Sequence, residues 1–289
     1  MLNSIINPGP SRASYHTLAR AARCLRSYFI AKELEREGNV TDIIPNAAMQ
    51  AGTLIHVGLA HMYASVRAAN PILVNGIAYT DAGEYLDWKD AVCRTATEIN
   101  YQGEILSILV TLETYKRVIA SNDKHQWDLL SIETEYGYRL DDVPEHMSLR
   151  TQRADLVIQD KVDGKIYIVD HKKVWRLSAK TEEQFLPHGQ FIGYSIIGYR
   201  HWGKQFGGVI LNRVCLQGQG QGPRFDRTTI SHSRDTIKAF ILSMKDTIQR
   251  VNQYKDIHWS KVPGVFDEQV CRGKYEPCPY MDICIGHRR

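Results

Sequence analysis

The sequence predicts an α/β fold, and three observations predict it. Apolar residues at helical spacing fill most of the first 120 positions, two β-rich runs joined by a turn occupy 153–173, and a last apolar stripe at helical spacing runs from Ile237 to Val251. From Ser14 to about Glu37 the chain is rich in Ala, Leu and Arg without Pro or Gly, which predicts a helix with Cys24 inside it. A second helix is expected from Asn46 to about Ala69, between Pro45 and Pro71, carrying GTLIH at 52–56. Tyr101, Ile105, Ile108, Leu112, Tyr115 and Ile119 alternate steps of four and three, the spacing of one helical face, so the first 120 residues read as mostly helical.

Strand signals take over at SIETEYGYRL (131–140) and continue in RADLVIQDKVDGKIYIVDHKK (153–173). VDG supplies the turn of a hairpin whose strands are ADLVIQD and KIYIVDHK. Because side chains alternate faces along a strand, Asp170 and Lys172 share one face and His171 takes the other. Asp155 on the partner strand can complete a charged cluster. Burial of such groups is costly unless they are paired, hydrogen-bonded or bound to metal; a solvated edge hairpin with ordinary salt bridges is the alternative. A helix is predicted from about Ser178 to Trp202, placing Gln190 and Tyr194 on one face. GGVILNRVCL and FDRTTIS flank QGQGQGP, which reads as a hairpin loop; it lacks the lysine and following helix of a phosphate-binding loop. Ile237, Phe240, Ile241, Met244, Ile248 and Val251 mark the core face of a last long helix, and the tail from Trp259 onward is irregular.

Bulk properties narrow the class. A hydrophobic content of 43% and a charged content of 24% are those of a globular chain. MLNSIINPGPS lacks the pattern of a signal peptide and no apolar run reaches bilayer length, so a cytoplasmic chain with no membrane partner is expected. The net charge of +4 permits a polyanionic partner without requiring one. A single domain is expected, with a helical part at about 14–125, an α/β core at about 126–258 and a cysteine-rich tail at about 259–289. Six cysteines are too sparse for a disulfide scaffold in a chain of 289 residues.

His56 in GTLIH, RAD at 153–155, DHK at 170–172 and QFIGY at 190–194 occur in an order that resembles the PD-(D/E)XK nuclease superfamily, specifically its RecB-like branch. The resemblance implies a restriction-endonuclease-like core, a central mixed sheet flanked by helices. It also implies that His56, Asp155, Asp170 and the main-chain carbonyl of His171 hold Mg²⁺ or Mn²⁺, a set of hard oxygens plus imidazole suited to such ions. Lys172 would orient or activate the attacking water, and Gln190 and Tyr194 would position the DNA strand or the metal shell. Arg153 would contact phosphate, with a surface salt bridge as the equal alternative; His61 competes with His56. Cys24, Cys271, Cys278 and Cys284 look like the iron-sulfur staple, a 4Fe-4S cluster, of AddB-type and CRISPR-associated relatives. Structural Zn²⁺ is the alternative, although the spacing has no CxxC knuckle. Cys93 and Cys215 are left as core residues. The implied function is a metal-dependent DNA exonuclease acting on single-stranded ends in DNA repair, recombination, phage replication or CRISPR-type processing, with a helicase, recombinase or CRISPR adaptation complex as partner. A λ-exonuclease-like enzyme of duplex ends, a non-cutting DNA-binding subunit and an RNA nuclease are the alternatives.

Overall fold

A computed structural model of the protein describes residues 6, 13, 15–38, 46–66, 72–79, 85–216, 222–272 and 277–286. The predicted first helix is two helices, α1 (Tyr15–Arg23) and α2 (Leu25–Arg36), separated by Cys24 in an extended conformation (φ −159°, ψ 111°). Cys24 therefore lies outside both helices, as the N-cap of α2. The break costs little hydrogen bonding, because the Cys24 N–H still donates to the Arg20 carbonyl and its own carbonyl accepts from Tyr28.

The second helix, α3, spans Ala47–Val66; its expected last turn and its flanking Pro45 and Pro71 lie outside the described residues. A hairpin then interrupts the stretch expected to be helical. β1 (Ile72–Val74) pairs antiparallel with β2 (Ile77–Tyr79) across Asn75 and Gly76, whose φ values of 50° and 80° are those of a tight turn with two left-handed residues. The Asn-Gly pair is itself the sequence signal for that turn. Next come α4 (Trp88–Glu98), which begins where the Asp87 carboxylate accepts the Lys89 N–H, and α5 (Ile105–Tyr115). A wider turn at Lys116–Ala120 leads into α6 (Ser121–Gln126).

β3 (Trp127–Arg139), α7 (Glu145–Ser148), β4 (Leu149–Asp160) and β5 (Ile166–Val174) follow. The helix expected from Ser178 to Trp202 is also two, α8 (Ala179–Glu183) and α9 (Gly189–Trp202). Pro187 lies between them, where it can neither donate to a helical ladder nor let its predecessor stay helical. β6 (Phe206–Cys215) and β7 (Arg224–Ile230) pair antiparallel, and residues 217–221 of the glycine-rich loop joining them lie outside the described residues. α10 (Arg234–Gln253) is the last long helix, and the tail holds only the short α11 (Glu268–Arg272) and α12 (Met281–Cys284). Among the described residues no helix is long and apolar enough to cross a membrane.

The seven strands form one mixed sheet in the order β2-β1-β3-β4-β5-β6-β7, with β1–β3 and β5–β6 parallel and the hairpins antiparallel. The chain divides into two compact units: Met1–Ser11, Pro45–Gly137 and Gln152–Ser233 form the first, and Arg12–Ile44, Tyr138–Thr151 and Arg234–Arg289 the second. In the first unit, Leu54, Leu59, Val92, Ile108 and Leu112 from α3, α4 and α5 bury one sheet face together with Leu156, Ile158, Val169 and Ile210. α9 is buried nearly all round, through Phe191, Ile192, Tyr194, Ile196 and Ile197, and its Tyr194 bonds Asp170 of β5, one position along the strand from Val169. Successive β5 side chains thus serve opposite faces, the alternation the sequence implies. In the second unit, Ala21, Leu25, Val251 and Val262 pack α1, α2 and α10 together.

Candidate metal centre

Five elements of the first unit, α3, β3, β4, β5 and α9, bring their side chains together. His56 comes from α3, Glu133 from β3 and Asp155 from β4, and one donor atom from each lies within 4.8 Å of the other two. The His56 Nδ1 is 3.3 Å from the Asp155 Oδ2. The same oxygen accepts the backbone N–H of His171 at 2.6 Å, which ties the middle of β4 to β5. Asp170 is completely buried, and Lys172, two residues on and on the same face, places its Nζ 2.5 Å from the Asp170 Oδ2. The other oxygen, Oδ1, is 3.0 Å from both the Gln190 amide nitrogen and the Tyr194 hydroxyl.

Tyr194 is held as firmly as it holds. Its hydroxyl lies 2.7 Å from the Arg153 carbonyl and accepts from the Gln190 Nε2 at 3.0 Å, so its single proton is shared between that carbonyl and Asp170. At 1% exposure the ring is out of reach of a strand, and the geometry favours Gln190 and Tyr194 as the holders of Asp170. Gly193 makes this packing attainable: a Cβ there would fall 1.9 Å from the buried Gln152 Nε2. Arg153 is half-buried, and its charge reaches Glu133.

Charge explains the electrostatics. Burial works against the His56 cation, but the Asp155 carboxylate beside it prevails and lifts its pKa to about 9. Burial likewise opposes ionisation of Asp155, and the neighbouring His56 overcomes this and depresses it well below the carboxylate range. At Glu133 burial, reinforced by Asp155, outweighs the opposing charges of His56 and Arg153 and pushes its pKa far up. Asp170 is raised by burial despite Lys172. Two carboxylates and an imidazole crowded at one buried point are the donor set of a hard divalent ion, whose charge would remove the mutual repulsion of Glu133 and Asp155.

His171 sits on the opposite strand face from Asp170 and Lys172. Its ring stacks on Tyr63 at 6.0 Å, and burial lowers its pKa to about 3, so it is neutral. The Asn212 amide lies 2.7 Å from its Nδ1, and the Asn212 carbonyl oxygen accepts from the Arg227 Nε. Arg227 in turn makes a two-point pair with Asp123 at 2.6 and 2.7 Å. A buried chain of polar contacts thus leads from Asp123 through Arg227 and Asn212 to the residue whose N–H anchors Asp155.

The sequence reading missed Glu133. It lies in SIETEYGYRL at a position that strand alternation cannot distinguish from Glu135, and its φ of +46° interrupts that alternation, so that four residues in a row, Ser131–Thr134, are buried. A left-handed conformation in a side chain with a Cβ is strain of the kind that clusters at functional sites. His61, the competitor of His56, is instead a satisfied core histidine: its Nε2 accepts the Ile6 N–H at 2.9 Å and its Nδ1 lies 3.0 Å from the Leu86 carbonyl.

In the second unit, Cys24, Cys271, Cys278 and Cys284 line one cavity of about 380 Å³. All six cysteines are free thiols, and among the described residues no thiol belongs to a set of metal-ligating atoms within 4.8 Å of one another. Cys24 and Cys271 do reach Cys284 electrostatically, adding to the upward push of burial on its thiol while Arg26 opposes it. Cys215 is buried in β6 and Cys93 is exposed on α4, so only one of the two is a core residue.

Comparison with curated proteins finds no matching relative. A family model does match, over residues 12–285, nearly the whole chain, and it includes every residue of the cluster just described. The chain belongs to the PD-(D/E)XK nuclease superfamily.

Proposed function

We propose that the protein is a metal-dependent DNA exonuclease that hydrolyses phosphodiester bonds at single-stranded ends. The observation that carries the nuclease reading is the convergence of His56, Glu133 and Asp155 donor atoms within 4.8 Å, beside a buried Asp170 paired with Lys172. His56, Glu133, Asp155, Asp170 and the His171 carbonyl would hold Mg²⁺ or Mn²⁺. Such an ion supplies charge to offset that developing on the phosphate and lowers the pKa of water toward neutrality. The protein residues do the rest. Gln190 and Tyr194 fix the Asp170 carboxylate, so its Oδ2 and the Lys172 ammonium keep one relative placement. Lys172, with a quarter of its side chain exposed, is the group able to orient the attacking water and move a proton at its Nζ. Arg153 adds positive charge near the carboxylates, where a phosphate would sit.

The four-cysteine cavity supports a second part of the proposal, a 4Fe-4S cluster with a structural role. Four thiols from a helix break and a short-helix tail, about one cavity, are the ligand number of such a cluster, with Zn²⁺ as the alternative occupant. Iron, zinc and acid-labile sulfide analysis of anaerobically purified protein separates the two. The exonuclease assignment is tested with linear and circular single-stranded DNA of one sequence, the linear form labelled at its 5′ or 3′ end. Release of mononucleotides from the linear strand alone supports it, and cutting of the circle at a comparable rate refutes it.

A further inference from the structure

The second unit contains a further cavity, of about 470 Å³, within the roughly 300–1,000 Å³ of small-molecule sites. Its charge is one-sided. Lys32 and Arg36 of α2, Arg150 at the start of β4 and Lys255 after α10 line it, against one carboxylate, Glu33. Lys32 and Arg36 are partly neutralised by helix pairs with Glu35 and Glu33, solvent-exposed contacts that hold little energy. Arg150 and Lys255 differ: among the described residues neither has a carboxylate within ion-pair distance. Among the described residues Arg150 donates only to the neighbouring Leu149 carbonyl, from its Nε, which leaves the two terminal guanidinium nitrogens for another acceptor. Its guanidinium is also partly desolvated, which lowers its pKa from the ordinary value. An arginine that gives up water without gaining a carboxylate is a group arranged for an anion that binds from outside.

Aromatic rings line the same cavity. Tyr28 and Phe29 meet edge to face at 5.2 Å, and Trp259 closes the same cavity. Cations beside half-buried rings recognise a phosphate joined to a flat apolar group, since the guanidinium takes the phosphate oxygens in a fork while an aromatic face takes a base. We propose that this cavity binds one nucleotide unit of nucleic acid, with its phosphate on Arg150 and Lys255 and its base against the rings of Tyr28, Phe29 and Trp259. The binding goes beyond the cleavage reading, because every group involved belongs to the second unit and none is a ligand of the candidate metal centre.

The test uses the full chain in EDTA, where no cutting obscures binding. A fluorescein-labelled oligothymidylate is titrated against wild type, Arg150→Gln, Lys255→Gln and the charge-conserving Arg150→Lys, across a range of salt concentrations, and each melting temperature is recorded. Arg150→Gln and Lys255→Gln are each expected to weaken binding roughly three- to tenfold and to lower the salt slope by about one, with Arg150→Lys intermediate and melting unchanged. Thymidine monophosphate is the competing probe. Competition that depends on Arg150 identifies a free nucleotide as sufficient, and strand binding that depends on Arg150 without competition identifies the strand. Lys255 is exposed, so its replacement does not threaten folding; wild-type affinity and salt slope in both neutral variants overturn the proposal. Cleavage is read separately with metal. A wild type that cuts while Arg150→Gln binds normally refutes this cavity alone, and a wild type that fails to cut while binding still depends on Arg150 refutes only the nuclease reading.

Discussion

At the scale of single residues, function and stability pull in opposite directions at Glu133. A buried carboxyl held against Asp155 is unfavourable until a cation joins them, so Glu133→Gln is expected to raise the melting temperature of the metal-free protein. A gain of about 1 kcal/mol corresponds to roughly 2–4 °C for a chain of this class. The same substitution should remove most of the stabilisation that added Mn²⁺ confers; thermal melts with and without the ion check both signs. His56 gives a pH dependence. Its pKa in the fold, about 9, exceeds its ordinary 6.5, so in the metal-free protein its contribution is complete below about 6.5 and disappears as pH rises to about 9. Because a ligating imidazole must be free of its proton, Mn²⁺ affinity should strengthen across that same window. Calorimetric titrations at pH 6.5 and 8.5 would show it, and a pH-independent affinity would contradict it.

At the scale of elements, the site depends on how closely α9 meets the sheet. Gly193→Ala places a methyl 1.9 Å from the amide of a buried glutamine, so α9 must shift or Gln152 must find another rotamer. The expected loss is about 1–3 kcal/mol of stability. Cleavage should fall with it, since Gln190 and Tyr194 ride on the same helix; denaturant melts and rate measurements on one preparation check the pair. These elements were unequally legible. The faces of β5 followed from strand alternation alone, which is why the sequence sets Asp170 and Lys172 apart from His171. The β1–β2 hairpin was announced by Asn75-Gly76 and the break before α9 by Pro187, two local signals that prevail in the fold over the broader helical pattern. Glu133 was different in kind. Its left-handed backbone is imposed by the tertiary structure, and no periodicity separates it from Glu135. Asp123, Arg227 and Asn212 were equally hidden, because a chain of buried polar contacts joins positions up to 104 residues apart that share no motif.

At the scale of the whole molecule, the family match spans residues from both compact units, while the candidate metal centre is built by the first and the cysteine cavity by the second. Loss of the cluster and loss of cleavage should therefore separate. Cys278→Ala is expected to reduce bound iron and the melting temperature before it reduces the rate per folded molecule. A variant with wild-type iron content and melting would remove the staple from the account. The grouping of the four cysteines came from the family resemblance and not from their spacing, whereas the break that sets Cys24 in extended backbone between two helices is one that helix propensity does not foretell.

The most direct measurement is Mg²⁺- or Mn²⁺-dependent loss of label from end-labelled single-stranded DNA, compared between wild type and Lys172→Ala. Lys172 lies 2.5 Å from Asp170, and its removal leaves the other donor atoms in place. Metal-dependent cleavage by wild type is expected, with a rate lower by about 10²-fold or more in Lys172→Ala at unchanged melting temperature. Near-wild-type cleavage by Lys172→Ala, or no cleavage by metal-loaded wild type, would contradict it.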